Sequence, residues 1–256
     1  MKPLECHQFS YLSDNYGVLV HAEDTGETAC IDAGDAQAVF DALESTGWSL
    51  SHLLITHHHA DHTDGLEAVK EKTGCLVIGP APESSPIPGL DKQLGEGDSF
   101  DFAGRRVEVL HTPGHTTDMI NFRFVEDALL FTGDTLFSLG CGRLFEGTAP
   151  MMWESLGKLA ALPEETTVYC AHEYTQTNAQ LAVEVDPDNQ ALAQRVESVK
   201  ALRADGQPTV PTSLAEELAT NPFLRVNDSA IRTALDMADA EDVEVFAELR
   251  RRRDKL

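Results

Sequence analysis

Positive charge is scarce in this 256-residue chain: 19 Lys and Arg stand against 43 Asp and Glu, a formal net charge of −24. Proteins that bind phosphates broadly need a basic footprint, so this balance excludes general nucleic-acid binding and docking on anionic membranes. Lysine is the residue most in deficit, seven against twelve arginines. A lysine-poor, carboxylate-rich surface is one way to stay soluble in high salt. Cysteine is sparse as well: five, an odd number with no CxxC pair, do not make a disulfide framework. No apolar run approaches the ~18 residues of a membrane span. The opening Met1-Lys2-Pro3-Leu4-Glu5-Cys6-His7 contains no apolar stretch of signal-peptide length. A reduced, cytoplasmic, soluble protein is expected. Apolar residues make up 42% of the chain and run along all of it, which opposes disorder. The length suits one or two domains of ~150 residues and a sizeable core.

The first half reads as strands with short helices between them. Residues 18–20 and 28–31 predict a hairpin turning through Glu23-Asp24-Thr25-Gly26. A helix is expected over 35–45, with Val39, Phe40 and Leu43 on one face, and Leu53-Leu54-Ile55 reads as a short buried strand. A helix over 65–72 and a strand over 75–78 follow, and four prolines in residues 80–88 mark a surface loop. Further strands are expected over 106–110, 120–125, 128–131 and 168–170, with a helix over 152–161. Beyond Tyr174 the strands stop and helical periodicity takes over. The expected organisation is an α/β domain over residues 1–173 and a helical segment over 174–256.

Thr56-His57-His58-His59-Ala60-Asp61-His62 carries the most chemistry. His57 and His59 are two apart, so extended backbone points both imidazoles to one side. Asp61 and His62 follow within one turn. Four potential ligands in six residues, behind a buried strand, suit one or two divalent cations. His58 points the other way and is left out, with a contact behind the ligands or to solvent. Three more polar residues sit where strands end: His115 in Thr112-Pro113-Gly114-His115, Asp134 in Thr132-Gly133-Asp134, and His172 in Ala171-His172-Glu173. Strand carboxyl ends are where α/β sites gather, so this repeated placement fits a shared cleft.

The pattern HxHxDH followed by separated His, Asp and His resembles the metallo-β-lactamase superfamily. The likeness extends to the glyoxalase II (hydroxyacylglutathione hydrolase) family. It rests on Asp14-Asn15-Tyr16, Ile31-Asp32-Ala33-Gly34-Asp35, His111-Thr112-Pro113-Gly114-His115-Thr116 and Gly140-Cys141-Gly142-Arg143. It continues through Phe145-Glu146-Gly147-Thr148, Tyr169-Cys170-Ala171-His172-Glu173-Tyr174 and Asn221-Pro222-Phe223-Leu224-Arg225, nearly the whole chain. The fold this implies is α/β, an αββα sandwich with a C-terminal helical domain. The implied ligands are His57, His59 and His115 for one metal, and Asp61, His62 and His172 for the other, with Asp134 bridging. Asp32 is assigned support behind the ligands rather than ligation. Two ions, zinc first with iron or manganese as alternatives, would share a water as a bridging hydroxide held by Asp61 and Asp134.

The activity implied is hydrolysis of S-D-lactoylglutathione to glutathione and D-lactate, the thioester step of methylglyoxal detoxification. A thiolate leaving group of pKa ~8.5 departs without strong acid help. The resemblance places substrate binding at Arg143, Phe145, Tyr174, Arg250 and Arg253. Arginine replaces the family's usual lysine at 143 and 253, and Phe145 replaces its usual tyrosine. Asp118-Met119 stands where the family commonly has Gly-His, outside the ligand set. Cys141 and Cys170 read as small buried side chains rather than nucleophiles. The partner is a small glutathione thioester, with no nucleic acid and no membrane, and the chain is expected to act as a monomer. Competing readings are an iron-dependent glutathione persulfide dioxygenase and another hydrolase of the superfamily. The long helical tail and terminal basic residues oppose the first, and the glutathione-type motifs oppose the second. The last seven residues carry five basic groups and one acid, an attractive patch for an anion on an acidic chain.

Overall fold

The computed structural model describes residues 1–81 and 86–256; residues 82–85 of the proline-rich stretch lie outside the described residues. Two compact units divide the chain: Met1–His111 with Thr117–Gly133, and Thr112–Thr116 with Asp134–Leu256.

The first unit runs β1 (Glu5–Tyr11), β2 (Asn15–Ala22), β3 (Glu27–Ile31), α1 (Ala36–Thr46), β4 (His52–Leu54), α2 (Ala60–Thr63), α3 (Leu66–Thr73) and β5 (Leu76–Pro80). It continues with β6 (Lys92–Leu94), β7 (Ser99–Phe102), β8 (Arg105–His111), β9 (Ile120–Phe124) and β10 (Leu129–Gly133). The expected hairpin is β2–β3, with Val18 opposite Ile31, and β1 extends it antiparallel on the other side. β4, β5 and β6 join in parallel. Side-chain alternation then separates two faces. Leu19, Cys30, Leu53 and Val77 pack with Val39 and Ala42 of α1 and Leu66 and Val69 of α3. His52, one residue out of phase with Leu53, instead meets Phe102 of β7 edge-on at 5.3 Å. β7 to β10 form an antiparallel meander, whose Phe102, Phe124 and Phe131 stack edge to face at 5.7 and 5.6 Å. A helical layer therefore covers one face of the first sheet and the meander covers the other.

The second unit contains β11 (Leu136–Phe137), β12 (Gly140–Cys141), α4 (Ala149–Ala160), β13 (Thr167–Cys170), α5 (Thr175–Val185) and α6 (Gln190–Ala204). Then come β14 (Thr212–Ser213), α7 (Leu214–Thr220), a short 3-10 turn (Pro222–Leu224), α8 (Ser229–Ala234) and α9 (Asp242–Arg253). Helices dominate past Tyr174 as the periodicity predicts, with one exception. β14 pairs antiparallel with β13, Val168 opposite Thr212; two residues are too few to leave a readable period. The spatial division falls after Gly133, earlier than the change in periodicity near 174. Residues 134–173 are tied to the helices by Trp153 on Phe246 at 6.2 Å and by buried polar contacts. Asn221 Nδ2 donates to the carbonyls of Phe137 and Gly140 at 3.1 and 3.0 Å, closing the β11–β12 hairpin. Glu217, fully buried, accepts from Leu139 N at 3.0 Å and pairs with Arg195. A charge with no exposure persists only when it is paired in this way.

Candidate metal centre

In the first unit, β4 ends at Leu54 and the chain passes through Thr56 and His57, both fully buried, into the short helix α2. His59 occupies its N-cap, and Asp61 and His62 lie within it. Gly34 permits this packing: a Cβ there would stand 1.9 Å from the Asp61 carbonyl oxygen. Ala33 N also donates to His62 O at 2.9 Å. The Asp-Ala-Gly-Asp motif is thus a close backbone approach that only glycine allows.

Asp32, buried and at φ +57°, is the organiser of this half. Its Oδ2 accepts from His62 Nδ1 at 2.8 Å, and its Oδ1 accepts from Thr56 N at 2.8 Å. The Thr56 hydroxyl donates to Oδ2 at 2.9 Å, so its oxygen is left to accept from His57 Nδ1 at 3.0 Å. Both imidazoles are thereby fixed in the tautomer that presents Nε2 as a lone-pair donor. His57 Nε2 lies 3.1 Å from His59 Nδ1. Asp61 Oδ2 lies 3.3 Å from His62 Nε2 and accepts from Asn15 Nδ2 at 2.9 Å, while Tyr11 donates to Asp61 O at 3.0 Å. His58 does turn away: its Nδ1 meets the buried Asp118 carboxylate at 2.9 Å. The Asp118-Met119 departure thus supplies a partner for the residue between two ligand candidates.

In the second unit, Asp134 is buried and lies between two imidazoles. His115 Nε2 is 3.3 Å from its Oδ2, and His172 Nε2 is 3.3 Å from its Oδ1. His115 Nδ1 donates to the Arg143 carbonyl at 2.8 Å, which again leaves Nε2 as the donor atom. A Cβ on Gly142 would stand 1.9 Å from Asp134 O and 3.2 Å from His115 Cβ, so the Gly-Cys-Gly-Arg motif is what lets this segment pass so close. The His172 ring stacks on Tyr174 at 4.8 Å with 3° between planes, and Phe137 meets both edge-on. Imidazoles with oriented Nε2 atoms beside carboxylates are a donor set suited to divalent ions of borderline softness.

The residues expected to bind substrate differ in how accessible they are. Phe145 is exposed and packs edge-on to His115 at 5.3 Å. The Arg143 side chain is half exposed and pairs with Asp254 at 3.3 Å. Arg250 is buried: Nη1 donates to Cys141 O at 2.6 Å, the guanidinium faces Phe223, and Nη2 meets Asp254 at 3.0 Å. Arg253 Nε donates to Asn178 Oδ1 at 2.7 Å, and burial, with Arg250 nearby, lowers its pKa. The terminal residues are therefore part of a packed helix rather than a solvated tail. Burial pushes the Cys141 thiol up to about 11 and the Cys170 thiol up to about 12, so neither supplies a thiolate at neutral pH. Sequence reasoning missed Thr56, Asn15 and Asp254 as partners of the site residues. Asn15 and Thr56 stand inside quoted motifs, but a hydrogen bond leaves no periodic signal.

A family model described as Metallo-beta-lactamase superfamily matches residues 13–172, which span all seven candidate ligands. Fold and donor sets together define a metallo-hydrolase of that superfamily, whose αββα sandwich is built around divalent metal ions. The crystal structure of ETHE1 from Myxococcus xanthus matches with a TM-score of 0.69 at 27% identity, covering 96% of this chain and 90% of its own. A second model, Hydroxyacylglutathione hydrolase C-terminus, matches residues 173–256. The hydroxyacylglutathione hydrolase of Chelativorans sp. (strain BNC1) is 53% identical over 251 residues, 98% of each chain. That of Rhizobium meliloti (strain 1021) is 51% identical over 256 residues, 100% of each. This chain belongs to the hydroxyacylglutathione hydrolase family. Among the described residues, no helix is long and apolar enough to cross a membrane.

Proposed function

We propose that this protein hydrolyses the thioester of S-D-lactoylglutathione to glutathione and D-lactate, acting as a monomer with two zinc ions. The observation that carries the reading is Asp134, which offers one carboxylate oxygen to each of His115 and His172. His57, His59 and His115 would hold one ion, and Asp61, His62 and His172 the other, with Asp134 shared between them. Bound there, the ions supply the acidity that lowers the pKa of water from ~15.7 toward ~7 and polarises the thioester carbonyl.

The protein's own part is orientation. Asp32 fixes His62 directly and His57 through Thr56. The Arg143 carbonyl fixes His115, and Asn15 holds Asp61. Arg143, Arg250 and Arg253 supply positive charge for the substrate's carboxylates, and Phe145 and Tyr174 supply aromatic surface beside His115 and His172. Residues 1–173 form the catalytic domain in this reading and residues 174–256 the helical substrate-binding domain. Burial of Cys141 and Cys170, the cysteines nearest the site in sequence, raises their thiols and supports attack by water rather than by sulfur.

Metal-replete protein is expected to consume S-D-lactoylglutathione, followed by loss of thioester absorbance. No turnover overturns the proposal. Oxygen uptake with glutathione persulfide in a parallel assay would instead make the protein an oxidoreductase. Elemental analysis of active protein is expected to return two zinc ions per chain; iron or manganese would correct the metal assignment.

A further inference from the structure

The terminal helix α9 ends with an acid where helix electrostatics disfavour one. Asp254 is its C-cap, at the negative end of the helix dipole, where a cation is favoured and a carboxylate is not. What accounts for its place is the company it keeps. Its Oδ1 accepts from Arg250 Nε at 3.1 Å and meets Arg250 Nη2 at 3.0 Å. The same oxygen accepts from Arg143 Nε at 3.3 Å, while Arg143 Nη2 donates to the Asp254 carbonyl at 3.3 Å. One internal carboxylate thus engages two guanidiniums, one four residues before it in the same helix and one 111 residues away in the chain. The two arginines are not equivalent. Arg250 is buried and anchored through Nη1 to Cys141 O, whereas the Arg143 side chain is half exposed and has room to exchange partners.

We infer that Asp254 is an internal carboxylate competitor at the site where Arg143 and Arg250 receive a carboxylate of the substrate, and that it sets how tightly anionic thioesters bind. The inference rests on the proposed function, which assigns those arginines to substrate binding. Guanidinium groups pair with any carboxylate in the same forked geometry, so a substrate carboxylate and the Asp254 side chain compete for the same donors. The Asp254 side chain is one-third exposed, so solvent and salt screen its hold and the exchange is inexpensive. A neutral side chain at 254 leaves both arginines to the ligand, and binding tightens.

The test is steady-state kinetics of metal-replete wild type, Asp254→Asn and Asp254→Ser, with thermal melting to verify folding. KM for S-D-lactoylglutathione is expected to fall about two- to five-fold in both variants, the change lying in KM rather than kcat. With the glycine carboxylate of the substrate converted to an amide, the variants should show no such gain. Calorimetric binding of glutathione to the metal-replete protein should tighten by the same factor, a readout independent of turnover. An unchanged or raised KM, or an equal gain on the amide, overturns the inference while leaving the hydrolase reading intact. Absence of thioester turnover by the wild type defeats that reading instead. Damage to packing alone would raise KM, so a fall is not what a purely structural role produces.

Discussion

Asp32 shows how much of a candidate metal site can depend on a residue that stands behind its candidate ligands. One buried carboxylate sets the tautomer of His62 directly and that of His57 through the Thr56 hydroxyl. Asp32→Asn keeps the size and the tolerance for φ near +57° but removes the charge that orients both rings. Metal affinity is expected to drop about 10- to 100-fold, measured by competition with a chromophoric chelator; unchanged affinity would mean the rings are held by packing alone. The cysteines allow a second prediction at this scale. Cys30, Cys75, Cys141 and Cys170 are buried, and Cys6 is intermediate. Burial raises the Cys30, Cys141 and Cys170 thiols, leaving them protonated at neutral pH. A disulfide reagent applied to native protein should therefore label chiefly Cys6 and spare activity. Rapid inactivation accompanied by labelling of Cys141 or Cys170 would count against the assignment. The candidate ligands themselves were legible in the sequence because their types and spacing are rare. Their supports were not, because Thr56 and Asn15 act through single hydrogen bonds that any polar residue could make elsewhere.

Helix α9 and the β11–β12 hairpin show the same limit at the level of elements. Read as composition, residues 250–256 are a basic tail. As structure, their charges are largely paired: Arg251 and Arg252 with Glu248, Arg252 with Glu184, and Arg250 with Asp254. Hydrogen bonds from Arg251, then Arg252, hold the Glu248 carboxyl down to about 2, against an ordinary 4.5. A carboxylate with a lowered native pKa stabilises the fold above its unfolded value, and that contribution is lost as pH falls toward 2. Glu248→Gln should therefore cost about 0.5–1 kcal/mol near neutral pH and almost nothing near pH 2, measured by urea unfolding. The exposed Arg251 keeps the figure small. In the hairpin, one Asn221 amide satisfies two buried carbonyls just before the segment whose Arg143 carbonyl orients His115. Asn221→Ala should destabilise by about 1–3 kcal/mol through the acceptors left unpaired. An effect below that range would mean water replaces the amide. Longer elements such as β2, β3 and α1 were readable because a sustained period marks them. β12, β14 and α2 span two to four residues and were not.

At the scale of the whole chain, a net charge of −24 should make stability depend on ionic strength. Self-repulsion is screened as the Debye length shrinks from about 30 Å at 0.01 M salt to about 3 Å at 1 M. The melting temperature is expected to rise across that range; a flat or falling profile would remove the case for a surface adapted to salt. The sequence by itself determined the superfamily, the seven candidate ligands and the order of elements such as β2, β3 and α1, although it left the seven-residue β1 unread. Rare residue types at fixed spacing and sustained hydrophobic periods are local properties, written into neighbouring positions. Only the tertiary structure decided which side chains hold the candidate ligands in place, that residues 134–173 cluster with the helices, and that the terminal arginines are packed and already paired. Those outcomes come from contacts between residues far apart in the chain, such as Arg250 with Cys141, Asn221 with Phe137 and Asp254 with Arg143. No local pattern records them, because their energies depend on burial and geometry that exist only once the chain has folded.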